Sequence, residues 1–221
     1  MALGLPSHDR RARRHEATKA EIVVAAWEVA RHRGLAGLTL AEVAARVDMR
    51  VPSLYQYFAS KNDLYDAMFA QGNDEFLAFL EERRAELPTD ARQRLRAGFR
   101  LYFEFCTSDP ARYQLLFQRT VPGFEPSPAS YAKAVEVMTL LREDLARAGL
   151  VHDQEDEDLL TALSSGLVDQ QIANDPGGDR WARLIDVVAD MAYDHLKSKQ
   201  RRKGRQGARR PAGTSTQGGP R

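Results

Sequence analysis

Apolar residues recur at helical spacing along most of the chain, and no stretch shows convincing strand alternation. In TKAEIVVAAWEVARHRG, Ile22, Ala25, Ala26 and Val29 fall at i, i+3, i+4 and i+7, and Gly34 supplies a C-terminal stop. TLAEVAARV repeats the spacing with Leu40, Val43, Ala44 and Val47, and Thr39 with Glu42 forms a T-x-x-E capping signature. After the short link DMR comes VPSLYQYF, where Pro52 suits a first helical turn and Val51, Leu54 and Phe58 share a face. Ser53, Gln56 and Tyr57 are left outside that face, with Tyr55 at its flank. Ser60 with Asp63 then caps a fourth helix that begins with Leu64, Ala67 and Met68. Two short helices joined by a tight turn and flanked by longer ones predict a helix-turn-helix. Its second helix presents hydroxyls and amides outward, the groups that phosphates and groove edges accept.

The remaining periodic segments are DEFLAFLEERRAEL, ARQRLRAGFRLYFEFCTS, DPARYQLLFQ, PASYAKAVEVMTLLREDLARAG, DQEDEDLLTALSSGLVDQQIAN and DRWARLIDVVADMAYDHL. Asp109 and Ser127 cap two of them, and TVPGFEPSP and DPGG read as turns. The links are short, which favours an antiparallel bundle. The fold class expected is all-α: an N-terminal three-helix helix-turn-helix domain followed by an antiparallel helical bundle, about nine helices in total.

Charge divides the chain into three parts. The formal net charge is +1 over 221 residues, but residues 1–61 carry +4, residues 62–196 carry −12 and residues 197–221 carry +9. Basic ends around an acidic middle fit a polyanion that meets the ends and not the body. The stretch HDRRARRHE is too polar to pack, and reads either as a plain flexible arm or as a basic arm touching phosphates or the minor groove. The tail, with Gly, Pro, Ser and Thr and no acidic residue, is expected to be disordered. The one cysteine, Cys106, excludes an internal disulfide framework and reads as a buried apolar thiol. With no apolar leader and no long apolar segment, a cytoplasmic protein is expected, without membrane contact.

Residues 15–69 resemble the DNA-binding domain of the TetR (tetracycline repressor) family of bacterial transcriptional regulators. The matching pieces are IVVAAWEVARHRG, LTLAEVAARVDM and SLYQYFASKNDLY, with Leu-Tyr-x-Tyr-Phe-x-x-Lys as the most specific element. Asp48 stands where the family's turn usually has glycine, and Asp tolerates the left-handed region better than most residues. Arg50 replaces a commonly small polar residue. The resemblance implies that Thr39, Tyr55, Tyr57 and Lys61 grip phosphates, while Arg50, Val51, Pro52, Ser53 and Gln56 face base edges. Chemistry agrees, since an arginine can fork onto guanine and Pro52 or Val51 can pack a thymine methyl. Tyr65 reads as interdomain packing.

The organisation expected is a flexible basic arm over 1–14, a helix-turn-helix domain over 15–61, a helical ligand-binding and dimerisation domain over 62–196, and a disordered basic tail over 197–221. Phe99, Tyr102, Phe103, Tyr113, Phe117, Phe124 and Tyr131 are candidates to line a cavity for an apolar or aromatic ligand, against the plainer reading of an aromatic core. The loop around Phe124 is a candidate mouth. The resemblance also implies a homodimer built from the last two helices, through Leu159, Leu163, Gly166, Leu167, Leu184, Val188 and Met191.

An enzyme is not expected. DQEDED lacks the Glu-x-x-His pairs of a helical di-metal site, and no phosphate-cradling loop or nucleophile elbow occurs. No cofactor or metal is expected. The function implied is a homodimeric regulator that binds double-stranded operator DNA and, in the manner most common in the family, a repressor released by a small-molecule effector. The alternative is a helix-turn-helix regulator with no inducer, whose C-terminal domain binds a protein partner.

Overall fold

The computed structural model describes residues 7–150 and 152–207. Among them nine α-helices occur and no strand: α1 (Ser7–Gly37), α2 (Leu40–Arg46), α3 (Val51–Leu54), α4 (Lys61–Arg84), α5 (Ala91–Ser108), α6 (Pro110–Phe117), α7 (Pro128–Arg147), α8 (Gln154–Asn174) and α9 (Ile185–Gly207), with a 3-10 turn at Ala182–Leu184. The all-α expectation holds.

Caps set the helix starts. The side chains of Thr39, Ser60, Asp90, Asp109, Ser127 and Asp153 each accept from a backbone N–H of the first turn they precede. Each satisfies a donor that the helix geometry leaves orphaned. The end of α7 closes with Leu150 N–H bonded to Leu145 O at 3.0 Å and Gly149 N–H to Ala146 O at 2.9 Å. That double closure needs a left-handed residue, which Gly149 supplies at φ 67°.

Two hydrophobic cores result. In the first, Ile22, Ala26, Val29 and Ala30 of α1 meet Val43 and Ala44 of α2, Leu54, Phe58, and Leu64, Tyr65 and Met68 of α4. Ala111 and Leu115 of α6 complete it. The second gathers Phe76, Leu80, Phe99, Phe103, Phe105, Tyr113, Val137, Leu167, Ile185 and Leu196. Helix α4 belongs to both, so the boundary placed at 61/62 falls at the helix's first residue and its opening turns pack in the first core. In the second, α4 packs on α7, and α5 on α8 and α9.

Both termini differ from expectation where they are described. The arm placed over 1–14 is helical from Ser7, because no proline or glycine interrupts Ser7–Arg33 and Ala, Arg, Glu and Lys are good helix formers. The tail placed from 197 continues α9 through Gly207. Its first turns are tied down: Lys199 Nζ donates to Asp153 Oδ1 at 2.7 Å, Glu155 Oε2 at 3.1 Å and Asp156 Oδ1 at 2.8 Å. These acids hold the Lys199 ammonium well above its usual range. The rest of both segments, residues 1–6 and 208–221, lies outside the described residues.

Candidate nucleic-acid interface and effector cavity

The helix-turn-helix is fixed by local bonds. Gly34 breaks α1 with φ 73° and ψ 162°, which turns Leu35 and Leu38 into the first core. Thr39 Oγ1 accepts from Glu42 N–H at 3.2 Å and starts α2. The other half of the box differs, since the Glu42 carboxylate accepts from the Thr39 hydroxyl. Met49 N–H returns to Ala44 O at 2.9 Å across Asp48, whose φ is 52°. Asp48 therefore occupies the left-handed position that the family resemblance implied for it.

Regular α-helix in α3 covers Val51–Leu54 only, but bonds from Tyr57 and Phe58 N–H to Leu54 O at 2.9 and 3.1 Å carry the coil onward. Leu54 is fully buried and Phe58 is 4% exposed. Those two anchors leave the intervening residues facing out. Arg50, Pro52, Tyr55 and Gln56 are exposed, and Val51, Ser53 and Tyr57 are half-buried. Arg50 occupies the N-cap without a side-chain cap bond. Thr39 is exposed beside this surface at the start of α2, and Lys61 is half-buried at the start of α4. Lys61 Nζ makes only a long 3.5 Å contact to Ala36 O and lies 5.3 Å from the Tyr65 ring centre. None of the nine candidate side chains is fully buried, although Val51 and Tyr57 pack against the edge of the first core. Tyr65 enters that core: it is 1% exposed, donates to Leu35 O, and packs on Phe124 with centroids 5.6 Å apart.

In the second core a cavity of about 320 Å³ lies among α4, α5, α6, α7 and α8. Phe76, Phe99, Tyr102, Phe117, Val137 and Leu141 are among its walls. Aromatic rings meet edge-on there: Phe76 and Phe117 at 5.9 Å, Tyr102 and Phe117 at 5.4 Å. Such T-shaped contacts hold rings upright and leave space beside them. Few polar groups line it. The Tyr102 and Ser165 hydroxyls are 3.0 Å apart, and burial pushes the Tyr102 phenol far up, so it stays neutral. Arg94 Nη2 donates to Asp144 at 3.0 Å, while its buried Nε has no hydrogen-bond partner among the described residues. Arg142 grips Glu157 with two bonds of 2.8 and 2.7 Å.

A bacterial regulatory protein family, tetR family, matches residues 22–68, the stretch from the first buried residue of α1 to Met68. That segment is a TetR-family DNA-binding region. The HTH-type transcriptional activator FasR of Mycolicibacterium smegmatis is 34% identical over 122 residues, which are 55% of this chain and 55% of that protein. The match thus spans about half the length of that relative. Among solved structures, the regulatory protein SCO4313 superposes with a TM-score of 0.66 at 20% identity, over 82% of this chain and 97% of its own. The regulator FadR of Bacillus subtilis, solved in complex with stearoyl-CoA, gives 0.59 at 17% identity over 78% and 96%. At these identities the two structures establish the fold. The matched family and the curated relative are both described as transcriptional regulators.

The seven aromatic candidates separate. Phe99, Tyr102 and Phe117 line the cavity, whereas Phe103, Tyr113, Phe124 and Tyr131 do not. Tyr113 is turned into hydrogen bonding, its hydroxyl donating to Asp169 at 2.8 Å. Phe124 packs against the first core and does not line the cavity, 6.5 Å from Phe69 as well as beside Tyr65. Tyr131 is 56% exposed on α7. The walls that sequence reasoning missed come chiefly from α7, where Ala134, Val137, Met138, Leu141 and Leu145 recur at helical spacing. Cys106 is 1% exposed, and burial pushes its thiol up to about 12, so it remains protonated.

The candidate dimer residues fall on two sides of α8 and α9. Leu167 is buried inside the protein, and Leu159, Leu163 and Val188 are half-buried. Gly166, Leu184 and Met191 are exposed, Met191 at 63%. Val187, at 57%, joins Leu184 and Met191 in an exposed stripe at i, i+3 and i+7 that its own periodicity announced. The acidic run 153–158 is spent on caps and ion pairs. Asp153 and Asp156 form a capping box, and Glu157 pairs with Arg142. No group of three or more His, Cys, Asp or Glu side chains suited to a metal ion occurs among the described residues.

Proposed function

We propose that this TetR-family chain is a sequence-specific, homodimeric DNA-binding transcriptional regulator, a repressor released from its operator by a small apolar or aromatic ligand held in the cavity beside Phe99, Tyr102 and Phe117. The observation that carries the DNA reading is the anchoring of α3 and its turn. With Leu54 and Phe58 locked inward, Arg50, Ser53 and Gln56 are held out as a set where a major groove admits a helix. Thr39, Tyr55, Tyr57 and Lys61 surround that set and supply phosphate contacts; Val51 and Pro52 supply apolar contact to a thymine methyl. The exposed stripe Leu184–Val187–Met191, with Gly166 and the flanks of Leu159, Leu163 and Val188, is the pairing face between two copies.

The cavity favours a ligand over a protein partner as the controlling signal, since a body that only docks a protein has no need of an internal apolar space. FadR, which shares the fold, is a regulator solved with stearoyl-CoA, and an acyl chain is among the apolar groups such a space accepts. A ligand there bears on α6, whose Leu116 and Phe117 wall the cavity while Ala111 and Leu115 pack in the first core. Arg31 of α1 pairs with the buried Asp109 at 2.8 Å, at the cap of the same helix. Ligand binding that prefers one α6 position therefore shifts the spacing of the two recognition surfaces.

The test uses a duplex recovered by selection from random DNA, with base-pair variants, in fluorescence titrations at several salt concentrations. Arg50→Ala is expected to relax preference at one or two base pairs, costing about 1–3 kcal/mol there. Lys61→Ala is expected to weaken all sequences alike and lower the salt slope by about one unit. If Lys61→Ala alters base preference and Arg50→Ala does not, the assigned roles are wrong. Stearoyl-CoA is a first probe of release.

A further inference from the structure

We propose that the opening turns of α1, residues 10–19, form a second DNA contact that grips backbone phosphates beside the base-reading surface, with Arg11 as its leading ligand. The inference rests on the DNA-binding reading above and adds to it an element outside the helix-turn-helix and outside residues 22–68 that match the family.

The first observation is that this part of α1 contributes no buried residue to either core. Residues 10–17 are all exposed, and the buried positions of α1 begin at Ile22. An isolated helix gains little stability without a buried face, so these turns extend a core helix into solvent. Their composition is one-sided. Arg10, Arg11, Arg13, Arg14 and Lys19 stand against Glu16 within ten residues, and only the small Ala12 and Ala17 are apolar. A surface of that kind suits a polyanion; it lacks the apolar stripe of a membrane-lying helix or of a helix that docks in a protein groove.

The second observation places the charges. The His15 ring stacks on the Tyr57 ring, with centroids 4.7 Å apart and planes 20° from parallel. One turn on, Lys19 Nζ lies 5.9 Å from the Phe58 ring centre. Arg11, His15 and Lys19 follow at i, i+4 and i+8, so they share one face of the helix. Two of the three already touch the recognition segment. The third, Arg11, is carried on the same face about 6 Å further along the axis. The rigid continuation matters, because a loose arm loses conformational entropy on binding and this helix has it already restricted. His15 acts as a positioning residue: its stack sets the angle at which the helix leaves the domain, and it also fixes the Tyr57 ring from behind.

Arginine is the side chain suited to this task, since its planar fork meets phosphate oxygens with two parallel N–H bonds. Each phosphate neutralised adds close to one unit of salt dependence and no base preference.

The test compares the full-length protein with Arg11→Ala/Arg14→Ala and with His15→Ala, on the selected duplex and on a random duplex of equal length. The double variant is expected to bind both more weakly by a similar factor, with a salt slope lower by about two units. Hydroxyl-radical footprinting is expected to show protection lost at discrete backbone positions, with protection by the recognition segment retained. His15→Ala is expected to weaken the same protections without removing a phosphate ligand. Unchanged slope and footprint in the double variant would overturn the proposal, provided thermal unfolding shows the fold intact. An unmodified protein that binds neither duplex would instead sink the DNA-binding reading on which the proposal stands.

Discussion

The two cores of this protein are packed to different ends. The first sets aliphatic side chains and four buried aromatics, Trp27, Phe58, Tyr65 and Phe69, around small residues: Ala25, Ala26, Ala30 and Ala44 let α1 and α2 approach closely, and Leu38, Val43, Leu54 and Leu64 are fully buried. The second is built around a group of large rings, some edge-on and some stacked, and it borders a cavity of about 320 Å³. A close-packed core fixes geometry to within fractions of an ångström, as presentation of Arg50, Ser53 and Gln56 requires. An incompletely packed one gives up dispersion contacts and gains a site. Pairs in the second half are strung between helices, as in the ladder where Arg92, Arg96 and Arg100 of α5 meet Asp194, Asp190 and Asp186 of α9. That ladder clamps α5, which supplies one wall of the cavity, to α9.

The sharpest way to break the contrast is to make one truncation in each core. Leu54→Ala removes a fully buried side chain from the first and is expected to cost about 2–5 kcal/mol. Leu141→Ala removes a half-buried side chain that already borders empty space, so fewer contacts are lost and the cost is expected to be clearly smaller. Chemical denaturation of both proteins decides the matter. Equal losses would show that the second core is as closed as the first.

Two glycines sharpen it further. Gly98 lies inside α5 on the cavity wall, and a Cβ built there meets nothing within 4 Å. Gly98→Ala is therefore expected to stabilise by up to about 1 kcal/mol, the propensity gain of alanine over glycine in a helix. Gly72 sits where α4 meets α6, and a Cβ there would stand 3.1 Å from the end of Leu116. Gly72→Ala is expected to gain less, since Leu116 must give way. Thermal unfolding midpoints rank the pair, and a larger gain at Gly72 would contradict the reading of α4–α6 as the tight joint.

Much of the DNA-facing half was legible because its determinants are local. Periodicity marked Ile22 to Val29 and Leu40 to Val47, capping residues marked the starts, and Asp48 announced a left-handed turn that the backbone then adopts. The cavity was not legible in the same way. Whether an aromatic ring lines a space or fills it depends on which distant helix faces it, and Tyr113 and Phe124 met Asp169 and Tyr65 instead of the cavity. The stripe on α7 was visible, but an apolar face looks alike whether it packs or borders a void. At the ends, low apolar content suggested arms without structure. Helix propensity carried α1 back to Ser7, and the acids at the start of α8 held α9 past Leu196.

The smallest effect concerns the charged pair at the cavity wall. Arg142 holds the Glu157 carboxyl below its ordinary range through two hydrogen bonds; burial opposes this, and His152 Nε2 lies 3.2 Å away on the same carboxylate. A carboxylate whose value is depressed on folding contributes stability that is present above its unfolded value and lost as pH falls through the folded one. Glu157→Gln is therefore expected to lower the unfolding midpoint at neutral pH, and the gap between the two proteins is expected to close on acidification. The Arg142 side chain is 45% exposed, so screening keeps the gap small and added salt reduces it further. Because both residues line the cavity, the same substitution reports on the framing of the second core: the strap between α7 and α8 weakens while Leu54 and its neighbours are untouched. Midpoints measured across pH for the two proteins give the answer. A gap that widens in acid would mean that Glu157 is held above its usual range in the folded protein, and that the pair with Arg142 is not what fixes α7 against α8.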